Sequence, residues 1–379
     1  MRGTAGQVVR VLRRSTALAL ALCALWVTAR TANLPHAGQI LRSVSGDAAF
    51  AISLVSAQLP SHQGQPGPEG WHRLVLSQSP ALHAAMSDIR AVPLTETLPP
   101  PDAPDEDQSE PVLPHSAADE SDVIPKTMTP SPTQTYLHTG DIYIANRAQK
   151  QPDVAALASA PVNFTLAKGP QVLILHSHGS EAYTPTSADT YEESDPYRTT
   201  NCNYNVVRVG EEIARIFREQ GLEVIHDTTL YDYPSYNEAY DRSLAATERW
   251  LSQYPSIQVV LDVHRDALSA EDGTIYKAIS PESEGQAAQV MLVVGTDGTK
   301  KHPLWQENLT FAMRIQQQLL DDHNTLARPM VLRASRYNQH LSVGSVLVEV
   351  GTHGNTLPEA LLGARLFAQS SSKVLESLK

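Results

Sequence analysis

Cysteine is scarce in this chain of 379 residues, which contains only two. Cys23 lies in an apolar N-terminal segment and Cys202 stands alone in a polar stretch, so the sequence predicts no intrachain disulfide. Two cysteines cannot form a structural zinc cluster, and any metal must therefore be held by His, Asp or Glu. The chain also lacks a basic stripe that would offset its net charge of −12, which argues against binding to nucleic acid or anionic lipid.

The short motifs of several enzyme classes are missing as well. No glycine-rich phosphate or dinucleotide motif follows a predicted strand, so nothing indicates a nucleotide site. Ser177 and Ser180 lie near histidines, but neither is flanked by the glycines of a nucleophile elbow. Cys202 remains an alternative nucleophile only if the fold brings a distant histidine to it.

The N-terminus has the pattern of a targeting segment. An apolar run from Ala17 to Val27 follows four arginines, and no acidic residue precedes Asp47. This charge pattern orients the segment with its N-terminus in the cytoplasm, and the run suits either an uncleaved anchor or a cleaved signal. We therefore expect residues 1–32 to direct export, leaving the protein single-pass in the cell membrane with its catalytic domain extracytoplasmic, or secreted after cleavage.

Residues 33–158 are predicted to form a variable linker region. Proline and acidic residues are dense between residues 93 and 132, and such a segment buries too little apolar surface to offset the entropy of ordering it. Residues 159–379 alternate predicted strands and helices instead. The strands are predicted at Val172–Leu175, Leu222–Ile225, Val259–Val263, Gln289–Val294 and Val346–Val350, and the helices at Asn205–Gln220, Ser235–Tyr254, Trp305–Leu320 and Leu357–Leu378.

The predicted strands are apolar without polar alternation, which is typical of strands covered on both faces. The sequence thus predicts an α/β fold with a mostly parallel sheet and helices on both faces. In such sheets the ligand site lies beyond the carboxyl ends of the strands. Three strands carry reactive residues there, in the segments His176-Ser-His-Gly-Ser-Glu181, Asp262-Val-His-Arg-Asp266 and Leu347-Val-Glu-Val-Gly351.

These segments predict a catalytic zinc site. His178, Glu181 and His264 are the predicted ligands, because zinc binds neutral imidazole and carboxylate oxygen and a catalytic site keeps a fourth position open. Glu349 is predicted to be the general base and then the general acid. Arg265 is predicted to bind a substrate carboxylate or oxyanion.

Several neighbouring residues have alternative interpretations. His176 competes with His178 for one ligand position, since side-chain direction alternates along a strand. Asp262 is a candidate to orient His264 by accepting its second ring N–H. His226 is interpreted as structural, whereas His302, His340 and His353 remain candidate substrate contacts.

Many short blocks of the region from residue 159 to 379 match one known family in order. Among them are His176-Ser-His-Gly-Ser-Glu181, Asn205-Val-Val-Arg-Val-Gly210, Tyr233-Pro-Ser-Tyr-Asn237, Asp262-Val-His-Arg-Asp266, Arg336-Tyr-Asn-Gln339 and Val348-Glu-Val-Gly351. In these blocks the chain resembles the stage II sporulation protein P family.

The resemblance implies a zinc-dependent peptidoglycan hydrolase of the sporulation engulfment process. It implies an N-acetylmuramoyl-L-alanine amidase with endopeptidase activity, the fold of zinc amidases and carboxypeptidases, and stage II sporulation proteins D and M as partners. The family's functional residues fall on His178, His264 and Glu349. Related amidases supply a glutamate from a helix, and no Glu stands at residues 202–205, where that helix would begin.

Two other functions are kept as alternatives. One is an inactive scaffold that binds the cell wall, and the other is a zinc carboxypeptidase or endopeptidase that acts on the stem peptide alone.

Overall fold

A computed structural model describes residues 120–132, 134–270 and 272–379. The strands of this part are β1 (Ile124–Lys126), β2 (Leu137–Thr139), β3 (Ile142–Asn146), β4 (Val172–Leu175), β5 (Val224–His226), β6 (Val259–Asp266), β7 (Tyr276–Glu282), β8 (Gly285–Ala288), β9 (Val290–Gly295), β10 (Met330–Arg333) and β11 (Gly344–Thr352). The α-helices are α1 (Val154–Ser159), α2 (Val206–Glu219), α3 (Ala239–Gln253), α4 (Trp305–Asp322) and α5 (Leu357–Glu376).

Eight strands form the main sheet in the order β2-β3-β10-β9-β11-β6-β4-β5, and β1, β7 and β8 form a smaller one. The prediction of a mostly parallel sheet needs correction, because the main sheet is mixed. Strands β5, β4, β6 and β11 are parallel, but β9 pairs with β11 in the antiparallel sense, and β2 does so with β3. The direction of the sheet therefore reverses between β11 and β9.

Helices cover both faces of the sheet, as predicted. The larger apolar core lies on one face and includes residues of α2, α4 and α5. On the other face, a smaller cluster joins β4 and β6 to the helix α3 through Trp250 and Leu251. All four side chains of β4 are buried. The strand is apolar throughout because helices cover both of its faces and exclude water from them.

The sequence of helix α2 explains where the helix begins, which face it buries and where it ends. Its apolar residues recur at helical spacing, and Val206, Val209, Ile213 and Phe217 are all buried. Asn205 caps the helix, since its side chain accepts a hydrogen bond from the backbone N–H of Val207. The chain leaves the helix through a glycine at residue 221 with φ 79, a conformation that favours glycine.

The predicted elements of the region after residue 159 are present, although their bounds shift by a few residues. Strands β1, β2, β3, β7, β8 and β10 and helix α1 were not predicted. Strand β3 pairs with β10 in the main sheet and lies inside the predicted linker region of residues 33–158. The folded part therefore begins before residue 159.

The predicted targeting segment and the proline-rich part of the linker up to residue 119 lie outside the described residues. Within the described part of the chain, no helix combines the length and the apolar character that crossing a membrane requires.

Candidate metal centre

The sheet brings the three predicted segments to one place. Strand β4 lies beside β6, and β6 lies beside β11. His264 of β6 and Glu349 of β11 are direct neighbours in the parallel register. His178 and Glu181 follow β4 in the turn beyond its carboxyl end, so all four side chains meet at the same edge of the sheet.

His178, Glu181 and His264 form a compact buried cluster, in which one ligand atom of each lies within 4.8 Å of the other two. His178 Nδ1 is 3.7 Å from Glu181 Oε1, and His264 Nδ1 is 3.3 Å from Glu181 Oε2. The two imidazole rings are nearly perpendicular, with their centroids 5.1 Å apart. Two imidazoles and one carboxylate are a donor set that suits zinc, so these three residues fit a divalent metal.

The Glu181 carboxylate is held by groups other than the histidines. The backbone N–H of Arg265 donates to Glu181 Oε2 at 3.2 Å. The guanidinium groups of Arg265 and Arg198 lie 3.8 and 3.9 Å from Oε1. Arg198 is in turn paired with Asp232 at 2.8 Å, and Asp232 also accepts a hydrogen bond from the Ser180 backbone. The turn that carries Glu181 is therefore fixed by a buried ionic network.

Asp262 positions the His264 ring from behind. His264 Nε2 lies 2.9 Å from Asp262 Oδ1, at an angle that falls short of a well-formed hydrogen bond. The same carboxylate accepts hydrogen bonds from the backbone N–H and the hydroxyl of Ser177, at 2.8 and 2.6 Å. Asp262 thus links the end of β4 to β6 and lies against the His264 ring on the side opposite Nδ1, the place expected of a residue that orients this ring.

The pKa values within the cluster reflect burial and mutual charge. Burial lowers the pKa of His178 to about 3, which keeps this imidazole neutral. Burial alone would raise the pKa of Glu181, but Arg265 and His264 hold it well below its usual range. Burial would lower the pKa of His264, yet Asp262 and Glu181 outweigh it and raise that pKa well above 6.5. Without a metal, His264 is thus protonated and positively charged between two carboxylates. A metal cation bound to His264 would replace that proton.

Glu349 lies beside the cluster and lines the same cleft. Its Oε2 atom is buried and has no hydrogen-bond partner among the described residues. Burial, followed by the charge of Asp266, raises the pKa of Glu349 to about 8. A carboxyl group of this kind exchanges a proton near neutral pH, which is what a general acid–base residue must do.

His176 does not belong to the candidate metal cluster, whereas His178 does. Its Nδ1 lies 2.8 Å from the carbonyl oxygen of Val263, and its Nε2 lies 2.9 Å from His226 Nε2. His226 also contacts Glu211 at 2.9 Å, so it has the structural role that was predicted. Gly210 of helix α2 permits this pairing, because a Cβ atom there would lie 2.6 Å from the His176 ring.

Two tyrosines of the cleft were not singled out from the sequence. The Tyr236 ring stacks on His178 with centroids 4.5 Å apart, and the Arg198 guanidinium lies 4.8 Å from the centroid of the same ring. Tyr240 of α3 contacts both His178 and His264. Tyr236 stands in one of the quoted sequence blocks, but no spacing rule links the block to the strand ends.

Arg265 reaches the cleft but directs its donors into the protein. Its Nε and Nη2 atoms donate to the carbonyl oxygens of Ala182 and Tyr197, at 3.1 and 3.2 Å. The candidate substrate contacts His302, His340 and His353 are not among the residues that line the cleft, and neither is Cys202. Cys202 is partly exposed.

The cleft above the cluster has a volume of about 400 Å³. Around the metal cluster and Glu349 it is lined by Tyr236, Tyr240, Arg265, Asp266, Ala267, Met291, Val293, Val331, Arg333, Tyr337 and Leu347. Its polar end and its apolar floor together can hold an organic substrate next to the candidate metal ligands.

Comparison with known proteins identifies relatives of this chain. Stage II sporulation protein P of Bacillus subtilis (strain 168) is 24% identical over 257 residues, which cover 65% of this chain and 61% of the relative. The match thus spans less than two thirds of the relative's length.

Solved structures with similar folds include two amidases. N-acetylmuramoyl-L-alanine amidase AmiC2 of Nostoc punctiforme shares 11% identity and a TM-score of 0.33, and the match covers 56% of this chain and 98% of that one. The CwlD amidase from Clostridioides difficile, solved in complex with the GerS lipoprotein, shares 14% identity and a TM-score of 0.36, with 55% and 100% covered. Both TM-scores are below 0.5.

The family model of Stage II sporulation protein P (SpoIIP) matches residues 105–371. This stretch includes every residue of the metal cluster, the cleft and Glu349. The chain belongs to the stage II sporulation protein P family.

Proposed function

We propose that this protein is a zinc-dependent peptidoglycan hydrolase, an N-acetylmuramoyl-L-alanine amidase that also cleaves amide bonds within stem peptides. The observation that carries the proposal is the juxtaposition of three metal-ligand side chains with the unpartnered carboxylate of Glu349 in one cleft. Membership in the stage II sporulation protein P family supports peptidoglycan as the substrate and sporulation engulfment as the process.

Each residue has a defined task in this proposal. His178, Glu181 and His264 hold the zinc ion, which supplies Lewis acidity that polarises an amide carbonyl and acidifies water. Glu349 Oε2 accepts the proton of the attacking water and later delivers it to the leaving amine. Asp262 keeps the ring of His264 in place. Tyr236 and Tyr240 shield His178 from bulk solvent.

The surroundings of the enzyme are also part of the proposal. We place the catalytic domain outside the cytoplasmic membrane, attached or released according to whether residues 1–32 are retained. Peptidoglycan lies in that compartment. Stage II sporulation proteins D and M are the proposed partners.

The test uses the full-length protein and purified peptidoglycan. The zinc-loaded protein is expected to release stem peptides with a free N-terminal alanine, and EDTA is expected to stop the release. Glu349→Gln should lose about 10²–10⁴-fold in turnover and still bind zinc, because it removes the proton acceptor and no ligand. Glu248→Gln, at an exposed site on α3, is the matched control and should retain activity.

Three outcomes would overturn the proposal or part of it. Undiminished release of stem peptides by Glu349→Gln would exclude Glu349 as the general base. Fragments cut only within the stem peptide, as seen by mass spectrometry, would replace the amidase with an endopeptidase or carboxypeptidase. Binding to the wall without any release would favour the inactive scaffold. Against that scaffold stands the cost of burying the unpartnered Glu349 carboxyl group, which a protein without catalytic activity would not need.

A further inference from the structure

Two histidines outside the cleft form a second close pair of imidazole rings. His302 belongs to the loop of residues 296–304 between β9 and α4, and His340 belongs to the loop of residues 334–343 between β10 and β11. Their ring centroids are 6.3 Å apart, and the rings are nearly perpendicular at 80°. Neither ring lines the cleft, so the pair has no task in the proposed hydrolysis.

The pair lies at the edge of the sheet opposite the candidate metal cluster. Glu349 is paired with Met291 near the start of β9. The loop that carries His302 begins after Gly295, at the end of the same strand. The four positions between Met291 and Gly295 correspond to about 13 Å of strand. A ligand bound by the pair would therefore be separate from an ion in the candidate metal cluster.

Several buried polar atoms of these two loops lack partners. His302 is fully buried, and neither its Nδ1 nor its Nε2 has a hydrogen-bond partner among the described residues. The buried Nδ1 of His340 makes no well-formed hydrogen bond, and the buried hydroxyls of Thr296 and Thr299 make none either. Buried polar atoms of native proteins are nearly always satisfied. Their concentration in two adjoining loops therefore indicates a bound ligand.

The two loops are fixed against each other without help from the imidazoles. The backbone N–H of Thr299 donates to the carbonyl oxygen of Ala334 at 3.2 Å, and Arg336 Nη1 donates to the carbonyl oxygen of Lys301 at 3.3 Å. The side chain of Gln339 makes two further hydrogen bonds to the backbone of β9. The rings are thus held near each other before any ligand binds, which lowers the entropic cost of binding.

The separation of the rings suits a metal ion. An ion about 2.0–2.1 Å from one nitrogen of each ring lies about 3.2 Å from each ring centroid, so the centroids are about 5.2 Å apart in tetrahedral geometry and at most about 6.4 Å apart. The observed 6.3 Å lies within that limit. A shift of about 1 Å by His340, which is partly exposed, would give tetrahedral geometry. The rings of His178 and His264 are 5.1 Å apart at 88°.

The protonation state of both rings also favours a metal. Burial is the main cause that lowers the pKa of His302 and of His340 to about 4, so both rings are neutral at pH 7, which is the form that binds a metal. The charge of Arg336 acts on both rings in the same direction and opposes a metal cation as well. The carboxylate of Asp297 acts on His302 in the opposite direction and offsets part of that charge.

We propose that His302 and His340 bind a second divalent transition-metal ion of the class that imidazole prefers, such as Zn²⁺, with water completing its coordination. This ion clamps the loop that follows β9 to the loop that follows β10. The inference goes beyond the proposed function, because it needs no hydrolytic activity.

The experiment uses the full-length His178→Ala protein, in which the candidate metal cluster has lost a ligand, and Zn²⁺ as the probe. Calorimetric titration should show about one equivalent of zinc bound with two imidazole ligands, as measured by X-ray absorption spectroscopy. Adding His302→Gln or His340→Gln should remove this binding. His323→Gln is the matched control, because His323 lies at the opposite end of α4 and contacts Glu282 at 3.1 Å, and it should leave the binding intact.

Stability provides a second measurement on the same variants. Free zinc at about 100 times its dissociation constant should raise the folding equilibrium constant of His178→Ala about 100-fold in urea titrations. The gain should vanish when His302→Gln or His340→Gln is added, in proteins that circular dichroism shows to be folded. The two substitutions are made separately, so one of them decides the matter where the other prevents folding.

Failure of the second site can be told apart from failure of the proposed function. A folded His178→Ala protein that binds no zinc with two imidazole ligands would overturn the second site and favour a water molecule between the rings. Zinc binding that survives both His302→Gln and His340→Gln would overturn it too. Neither result depends on the release of stem peptides, which tests the hydrolase in the wild-type protein.

Discussion

Asp262→Asn provides the sharpest test of how this site is built. The Asp262 carboxylate contacts His264 Nε2 at 2.9 Å and accepts two hydrogen bonds from Ser177. Asparagine has the same shape but no charge, and one of its two terminal groups is a donor that faces other donors. The ring of His264 therefore loses the group that orients it, while the candidate metal ligands themselves are unchanged.

The expected effect is a loss of metal affinity. Removing a carboxylate that orients a ligating histidine costs about 10–100-fold in affinity, which corresponds to about 1.4–2.8 kcal/mol. The dissociation constant for Zn²⁺ is measured on the full-length protein by competition with a chromophoric chelator. Circular dichroism on the same samples confirms that the variant is folded.

Asp227→Asn is the matched control. Asp227 is also a buried aspartate, and it accepts hydrogen bonds from Tyr231 at 2.7 Å and from Trp250 at 2.6 Å, outside the metal cluster. It should lose stability and keep its affinity for zinc. A folded Asp262→Asn protein with wild-type affinity would refute the reasoning, as would an equal loss of affinity in both variants.

Three further predictions concern stability. Gly210→Ala should destabilise the fold by about 1–3 kcal/mol in urea titrations, because its Cβ would lie 2.6 Å from the His176 ring. Lys277→Met should cost about 3–5 kcal/mol, because it leaves the buried Glu359 carboxylate without the ammonium group that lies 2.7 Å away. Stability should also fall as the pH drops from 7 to 5, since burial lowers the pKa of His302 to about 4 in the folded protein. Below pH 6.5, His302 becomes protonated in the unfolded chain but stays neutral in the folded protein. The loss of stability therefore begins near pH 6.5 and grows towards pH 4.

Each of these predictions has its own check. Lys379→Met breaks an exposed pair with Glu376 and should cost under about 0.5 kcal/mol; a similar cost at both lysines would count against the role of burial. His302→Gln should make the pH dependence of the urea midpoint shallower, because the lowered pKa of His178 still contributes to it, and an unchanged slope would exclude His302 as one of its sources. Wild-type stability of Gly210→Ala would mean that helix α2 can move away from His176 without penalty.

The elements predicted from the sequence share one property, which is that their local pattern and their final environment agree. Strand β4 is apolar throughout and is buried on both faces, and helix α2 has an apolar stripe that faces the core. Strand β10 is as short as β4 but ends in Arg333, and it is held in the sheet by pairing with β3 and β9. The antiparallel direction of β9 was not predictable either, because an apolar run has no direction.

The candidate site could be predicted in part for the same reason. His178, Glu181, His264 and Glu349 follow or lie within strands that the sequence does reveal, and parallel pairing brings strand ends together. The walls of the cleft depend on contacts between distant parts of the chain. Tyr236, for example, stacks on His178 across 58 residues of sequence, and no local pattern encodes such a contact.

The ionic network around Glu181 has a consequence for how the proposed metal ion would be acquired. Arg265 and Arg198 surround this carboxylate, and Asp232 secures Arg198 in turn. The geometry of the ligand set is thus maintained by the polypeptide itself. A zinc finger folds only when it binds its ion. This domain can instead fold first and bind the ion afterwards. A chelator should therefore inactivate it reversibly without unfolding it.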